Sequence, residues 1–265
     1  MTVRSFALPA ALLLVAPLAA APLHAQAVEY AAGTMHYRLS TLTKGSQTSP
    51  MGNQDFQVDA KQLLTVNLAR PAKDTVVATV TLDSLDIASS QGKQDVSRLL
   101  GTKFVTYISP TGKLYSTTPP EGADPVLMQV TESVARFLPS YRANLHAGMT
   151  WADTVSDKVN QQGMELNRTV VANYKVLGDT TVSGTKAFKV SRLSNVKAAG
   201  SGTTQGQPIS VESATTSDAV FFLSPKGVYL GGRQNDDINV KVTILAQGAE
   251  INVKQTATST IQALQ

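Results

Sequence analysis

The chain has 265 residues, 23 Lys and Arg against 19 Asp and Glu, and no cysteine. Without thiols it has no disulfides, no thiolate metal site and no lipid-modified cysteine of the bacterial lipoprotein kind. The net charge of +4 is scattered among acidic residues, with no Lys/Arg-rich run and no aromatic–basic ladder, so solubility accounts for it better than nucleic-acid binding.

Residues 1–27 read as a signal peptide. Arg4 supplies the positive start, Ala7–Ala21 an apolar run broken by Pro9 and Pro17, and Ala25-Gln26-Ala27 the small residues of a cleavage site. The run is too short for a membrane-spanning helix of about 20 residues, and no later stretch is apolar enough to span. The expectation is a soluble exported protein, in a bacterial periplasm or outside the cell. Cleavage after Ala27 leaves 265 − 27 = 238 residues and a side-chain charge of +3, a length that can bury a core as one β-rich domain, 28–265.

Gly33–Lys44 alternates, with Met35, Tyr37 and Leu39 opposite His36, Arg38 and Ser40, which predicts a half-buried strand. Gly45–Asn53 reads as a polar loop. Asp55–Ala69 and Thr75–Ile87 predict two more strands around the turn Arg70–Asp74. Ser89–Arg98 reads as loop, and Lys103–Ser109 and Lys113–Thr117 flank Ser109-Pro110-Thr111-Gly112, which fits a type I turn.

Asp124–Leu138 predicts the single clear helix. Asp124 caps it, Pro125 fits its first position, and Val126, Leu127, Val130, Val134, Phe137 and Leu138 form one apolar stripe, with Pro139 as the stop. An irregular stretch then leads to Gly148-Met149-Thr150-Trp151. Met164–Val176 and Thr185–Asn195 read as a strand pair around the turn Gly178–Gly184. Lys197–Gln207, rich in Gly, Ser and Thr, is either a flexible loop or the tip of a long hairpin. Ile209–Leu223 and Val228–Gln234 flank Ser224-Pro225-Lys226-Gly227. Asn235-Asp236-Asp237 separates the latter strand from a C-terminal hairpin, Ile238–Ala246 and Glu250–Ala263.

Ten or eleven strands with no βαβ rhythm predict a mainly β protein with a mostly antiparallel sheet. Tyr107–Gly112 aligns with Phe222–Gly227, 115 positions later. This spacing suggests two β half-units, about 28–122 and 140–265, joined by helix 124–138, although S-P-x-G is also simply a good hairpin turn.

The helix, Leu138-Pro139 and Gly148-x-x-Trp151 together resemble an "LP…GxxW" element of exported bacterial proteins of unknown function. The strand–helix–strand order over residues 30–264 resembles the LolA/LolB-type lipoprotein-carrier fold. That resemblance implies a curved half-barrel sheet around one central amphipathic helix, and an apolar ligand such as an acyl chain. It carries over no catalytic residue.

Chemistry has few candidates. Beyond the leader the histidines are His36, on the polar side of a strand, and His146, in a loop suited to backbone hydrogen bonding; no HExxH, calcium-loop, phosphate-loop or GxSxG pattern occurs. Asp83/Asp86 and Asp236/Asp237 fit turn chemistry, and Asp153/Asp157 flank the segment after Trp151. The expectation is a protein that is not an enzyme and needs no cofactor or metal. It would bind an apolar small molecule or lipid through Val126, Leu127, Val130, Val134, Phe137, Leu138 and Trp151. The alternative is an interaction protein with a solid core, binding a protein partner through a sheet edge or through 197–207.

Overall fold

The computed structural model describes residues 27–50, 52–90, 97–122, 125–161, 164–204 and 206–264. Residues 1–26 of the expected leader 1–27, and the helix cap Asp124, lie outside the described residues. The strands, in chain order, are β1 (Gly33–Ser49), β2 (Gly52–Ala72), β3 (Thr75–Ser89), β4 (Lys103–Ile108) and β5 (Leu114–Thr118), then β6 (Thr150–Gln161), β7 (Met164–Val182), β8 (Thr185–Thr204), β9 (Gln207–Leu223), β10 (Tyr229–Ile244) and β11 (Ala249–Leu264). A ten-residue helix, α1 (Pro125–Val134), lies between β5 and β6.

The protein is mainly β. All eleven strands join one antiparallel sheet in the order β5-β4-β3-β2-β1-β11-β10-β9-β8-β7-β6. Two consecutive meanders, β1–β5 and β6–β11, meet where β1 pairs with β11, from His36↔Leu264 to Thr48↔Asn252. The sheet is not closed; β5 and β6 are its edges. β2 is 21 residues long and so reaches about 70 Å at 3.3 Å per residue.

One face of the sheet carries the core. Tyr37, Leu64 and Leu82 pair directly across β1–β2–β3, and Phe221, Val190 and Val176 across β9–β8–β7. The period-2 rule therefore puts each set on one side. The residues between them, such as Leu193 at 58% exposure, face solvent. The core cluster gathers Val76, Val80, Tyr37, Tyr229, Phe221, Val190 and Val176 with Leu138, Tyr141 and Leu145 from the connection after α1.

The strands run further than their apolar patterns. Gly45–Asn53, expected as a loop, is almost all strand, with rungs from Gly45↔Phe56 to Ser49↔Gly52. Lys197–Gln207 proves to be a hairpin tip: Lys197 pairs with Ala214 and Thr204 with Gln207. Asn235–Asp237, expected between strands, sits inside β10. Asp83 and Asp86 likewise lie within β3 rather than at its end. Backbone hydrogen bonds hold a ladder without apolar side chains, so a polar run reads as loop and still extends a hairpin. The expected turn Gly178–Gly184 shrinks to Ser183-Gly184, because both residues take positive φ, 46° and 80°, as a two-residue type I′ turn requires.

The helix is shorter than the expected 124–138. After Ala135, whose N–H still reaches Thr131 O, the Arg136 and Phe137 amides turn back to Ser133 and Val134. These i→i−3 bonds tighten the end before Pro139.

The two S-P-x-G turns share one bonding pattern. In the first, the Ser109 amide donates to Lys113 O (2.8 Å), the Gly112 amide to Ser109 O (2.9 Å) and the Lys113 amide to Ser109 Oγ (2.9 Å). In the second, the Ser224 amide donates to Val228 O (2.9 Å), the Gly227 amide to Ser224 O (2.9 Å) and the Val228 amide to Ser224 Oγ (3.0 Å). Residues 28–31 form a strap between them. The Tyr30 amide donates to Pro110 O (2.7 Å) and the Ala31 amide to Gly227 O (3.1 Å), while Val28 and Tyr30 are buried.

Candidate functional site

The structure brings six of the seven residues singled out by sequence into one cluster. Leu127, Val130, Val134, Phe137 and Trp151 are half-buried against the core, and Leu138 is buried. The Val126 side chain lies outside the described residues. Phe137 stands edge-on to Tyr37 (5.1 Å between centroids) and Tyr229 (5.9 Å). Trp151 stacks on Tyr174, its register partner on β7, at 4.7 Å and 4°. Burial raises the Tyr174 phenol above its ordinary range, Arg192 opposing.

The next rungs away from this core are polar, and this belt was missed by sequence reasoning. Register places Trp151, Tyr174, Arg192, Ala219, Gln234, Ser259 and Thr41 in one row across seven strands. Asp153, Ala172, Ser194, Ser217, Asp236 and Ala257 form the row beside it. Arg192 Nη2 donates to Gln234 Oε1 at 2.6 Å, and Gln234 Nε2 donates to both Asp236 oxygens at 2.9 Å. Ser217 Oγ donates to Asp236 Oδ1, and Thr41 and Ser259 share a hydrogen bond of 3.0 Å. The one available signal was phase: Arg192 follows Val190, and Gln234 and Asp236 precede Ile238, at the spacing of core-facing residues.

Beyond the belt the same face turns apolar again. Leu166, Ile209 and Val211 are buried there, with half-buried Val159, Met164, Ala198, Val240, Val242 and Ile244 packed against them. Every member comes from β6–β10; α1 contributes none. The core face thus reads apolar, polar, apolar along the strands.

Asp157, Asp153 and Asp83 have structural partners. Arg168 grips Asp157 with two bonds of 2.9 and 2.5 Å, Arg136 lies 3.5 Å from it, and these guanidiniums hold its carboxyl below the usual range. Arg142 pairs with Asp153 at 3.0 Å. His36 is exposed and shares a 2.9 Å bond with Thr65, whose hydroxyl donates to Asp83; His146 bonds Ala147 O at 3.2 Å. Among the described residues no three His, Asp or Glu side chains gather as a metal site would require. On the solvent face lie two open grooves of about 470 and 380 Å³. Lys197, Glu212, Asn239, Lys241 and Lys254 line the larger, Lys241 being neutralised by Glu250 at 2.6 Å. None of the seven expected ligand residues lines either groove.

No protein-family model matches the chain, and no curated protein does. Among solved structures, the COG4313 outer membrane channel from Pseudomonas putida F1 aligns at 9% identity over 92% of this chain and 99% of its own, with a TM-score of 0.27. A protein described as an AttH from Nitrosomonas europaea aligns at 8% identity over 84% and 91%, with a TM-score of 0.20. Likenesses this slight carry no argument about fold or function. No helix among the described residues is long and apolar enough to cross a membrane.

Proposed function

We propose that this is an exported, non-enzymatic envelope protein that holds an elongated apolar ligand, an acyl chain or a similar lipid, against the core face of its sheet. The observation that carries the reading is the second apolar cluster, built by strands alone around Leu166, Ile209 and Val211. A sheet must cover its apolar face by packing or by curling, and no helix among the described residues packs on this cluster. The reading has the sheet as a half-barrel of the lipoprotein-carrier kind, with α1 as a central amphipathic helix closing one end and Leu127, Val130, Val134, Phe137, Leu138 and Trp151 as the wall toward the ligand.

Native mass spectrometry of the protein, purified from an exporting host without detergent, tests this. A lipid mass released by organic solvent is the expected result. A bare polypeptide mass, with no uptake of added fatty acid, would overturn the reading in favour of a solid-core protein that binds a partner along the twelve-residue edge strand β6.

A second outcome concerns α1. Val130→Asp puts a carboxylate into a half-buried apolar contact, at a cost of about 3 kcal/mol. That lowers Tm by about 6–12 °C for a chain of this size, with loss of lipid uptake. Calorimetry that finds an unchanged Tm would show that the stripe is not buried.

A further inference from the structure

On the core face two carboxylates meet guanidiniums, while Asp236 and Arg192 meet only neutral groups. Asp157 is held by Arg168 and Arg136, Asp153 by Arg142, and Asp236 by Ser217 and Gln234. Arg192 has only neutral partners. Its Nη2 bonds the amide oxygen of Gln234, its guanidinium reaches the Tyr174 phenol, and Gln234 stands between it and Asp236. No carboxylate among the described residues forms an ion pair with it. Its Nε is buried and has no hydrogen-bond partner, and the same holds for Trp151 Nε1. These two donors flank Tyr174 in one row of the sheet. Buried N–H donors are normally satisfied, and a guanidinium presents a fork matched to carboxylate or phosphate oxygens.

We propose that Arg192 and Trp151 form the headgroup subsite for an acyl-chain ligand ending in an oxyanion. The inference rests on the apolar-ligand reading above and adds the chemistry of the ligand's polar end. The chain would run from Arg192 along Val196, Ile238 and Val240, half-buried residues of the same face, toward the distal cluster. The belt sits where an amphiphile changes character: aromatic core on one side, apolar strands on the other, and at the boundary an arginine whose buried Nε has no partner. Trp151 is the chain's only tryptophan, so its emission reports on this point directly.

The test is calorimetric and fluorimetric titration of the mature protein with palmitate, hexadecanol and palmitoyl lysophosphatidate, each below its micelle concentration. The expected result is that one or both anionic ligands bind about 10- to 100-fold tighter than hexadecanol, as a charge-assisted hydrogen bond in a shielded site implies, with a shift in Trp151 emission. Arg192→Met should remove that preference, bringing the affinity for the anions down to that for hexadecanol. Arg192→Lys, which keeps the charge but not the fork, should restore part of it; the two anions' relative affinities identify carboxylate or phosphate as the natural head. Equal binding of acid and alcohol, or a preference that survives in a folded Arg192→Met, would overturn the headgroup subsite while leaving the apolar-ligand reading intact. Binding of none of the three would overturn both.

Discussion

Raising the pH past 10 should unfold this protein in one cooperative step. Tyr30, Tyr37, Tyr141 and Tyr229 are buried phenols, and burial pushes each well above the ordinary value of 10. Their neighbours add to the effect: Tyr30 sees Tyr141, Tyr229 and Tyr37, and Tyr141 sees Glu29. Tyr174 is raised by burial as well. Each group is neutral in the folded state at a pH where its unfolded counterpart has lost a proton. Below pH 10 both states keep the proton, and the full stability is present. Above pH 10 the unfolded state binds fewer protons, so stability falls with pH at about 1.4 kcal/mol per unit and per phenol. The four strongly raised groups exhaust a typical domain stability of about 5–15 kcal/mol within about one to three pH units above 10. Absorbance at 295 nm should show these phenols ionising together with the loss of near-ultraviolet circular dichroism. Tyr37→Phe, which gives up only the 3.0 Å bond to Tyr229 O, should flatten the slope by one proton. Phenols that titrate one by one, with the circular dichroism intact, would show that this aromatic core is open to water.

The strands were legible where one face is buried. Met35, Tyr37 and Leu39 announce β1 because every second residue meets the core. The two S-P-x-G turns were legible because their geometry depends on residues within five positions of one another. Illegible were Gly45–Asn53, Lys197–Gln207 and Asn235–Asp237, strand segments whose pairing rests on the backbone. Asn235 accepts from Thr258 and Asp236 from Ser217 and Gln234, so these polar residues are satisfied inside β10 instead of breaking it. A short helix forms where the stripe was read, but it ends earlier than expected, because the bonds from Arg136 and Phe137 depend on how the chain enters Pro139. The polar belt was beyond reach for another reason. Arg192, Ser217 and Gln234 come from three strands, and only the register of β8, β9 and β10 makes them neighbours. No spacing along one strand encodes that register.

Gly227→Ala should be among the most damaging single-methyl changes available in this protein. Gly227 has φ +76°, and a Cβ placed there runs into the backbone carbonyl of Glu29 and close to the Ala31 amide. Gly184 offers a control, since its φ of +80° is nearly the same and a Cβ there meets nothing within 4 Å. Gly184→Ala therefore measures backbone strain alone, about 1–2 kcal/mol. Gly227→Ala adds displacement of the strap. Val28 and Tyr30 are buried at 3% and 1% exposure, and each contributes about 1.5–3 kcal/mol by burial. Tyr30 also donates from its hydroxyl to Pro139 O at 2.7 Å and stacks edge-on with Tyr141 at 5.2 Å. The expected total is about 4–6 kcal/mol, or roughly 8–24 °C in Tm against about 2–8 °C for Gly184→Ala. Limited proteolysis should then cut first within 28–32, because the strap loses its hold before the ladders do. The strap is also held at its start, where the Val28 amide donates to Ala143 O at 2.7 Å. Equal melting of the two alanine variants would mean that the strap adds nothing, and that the two S-P-x-G turns hold the ends of their meanders without it.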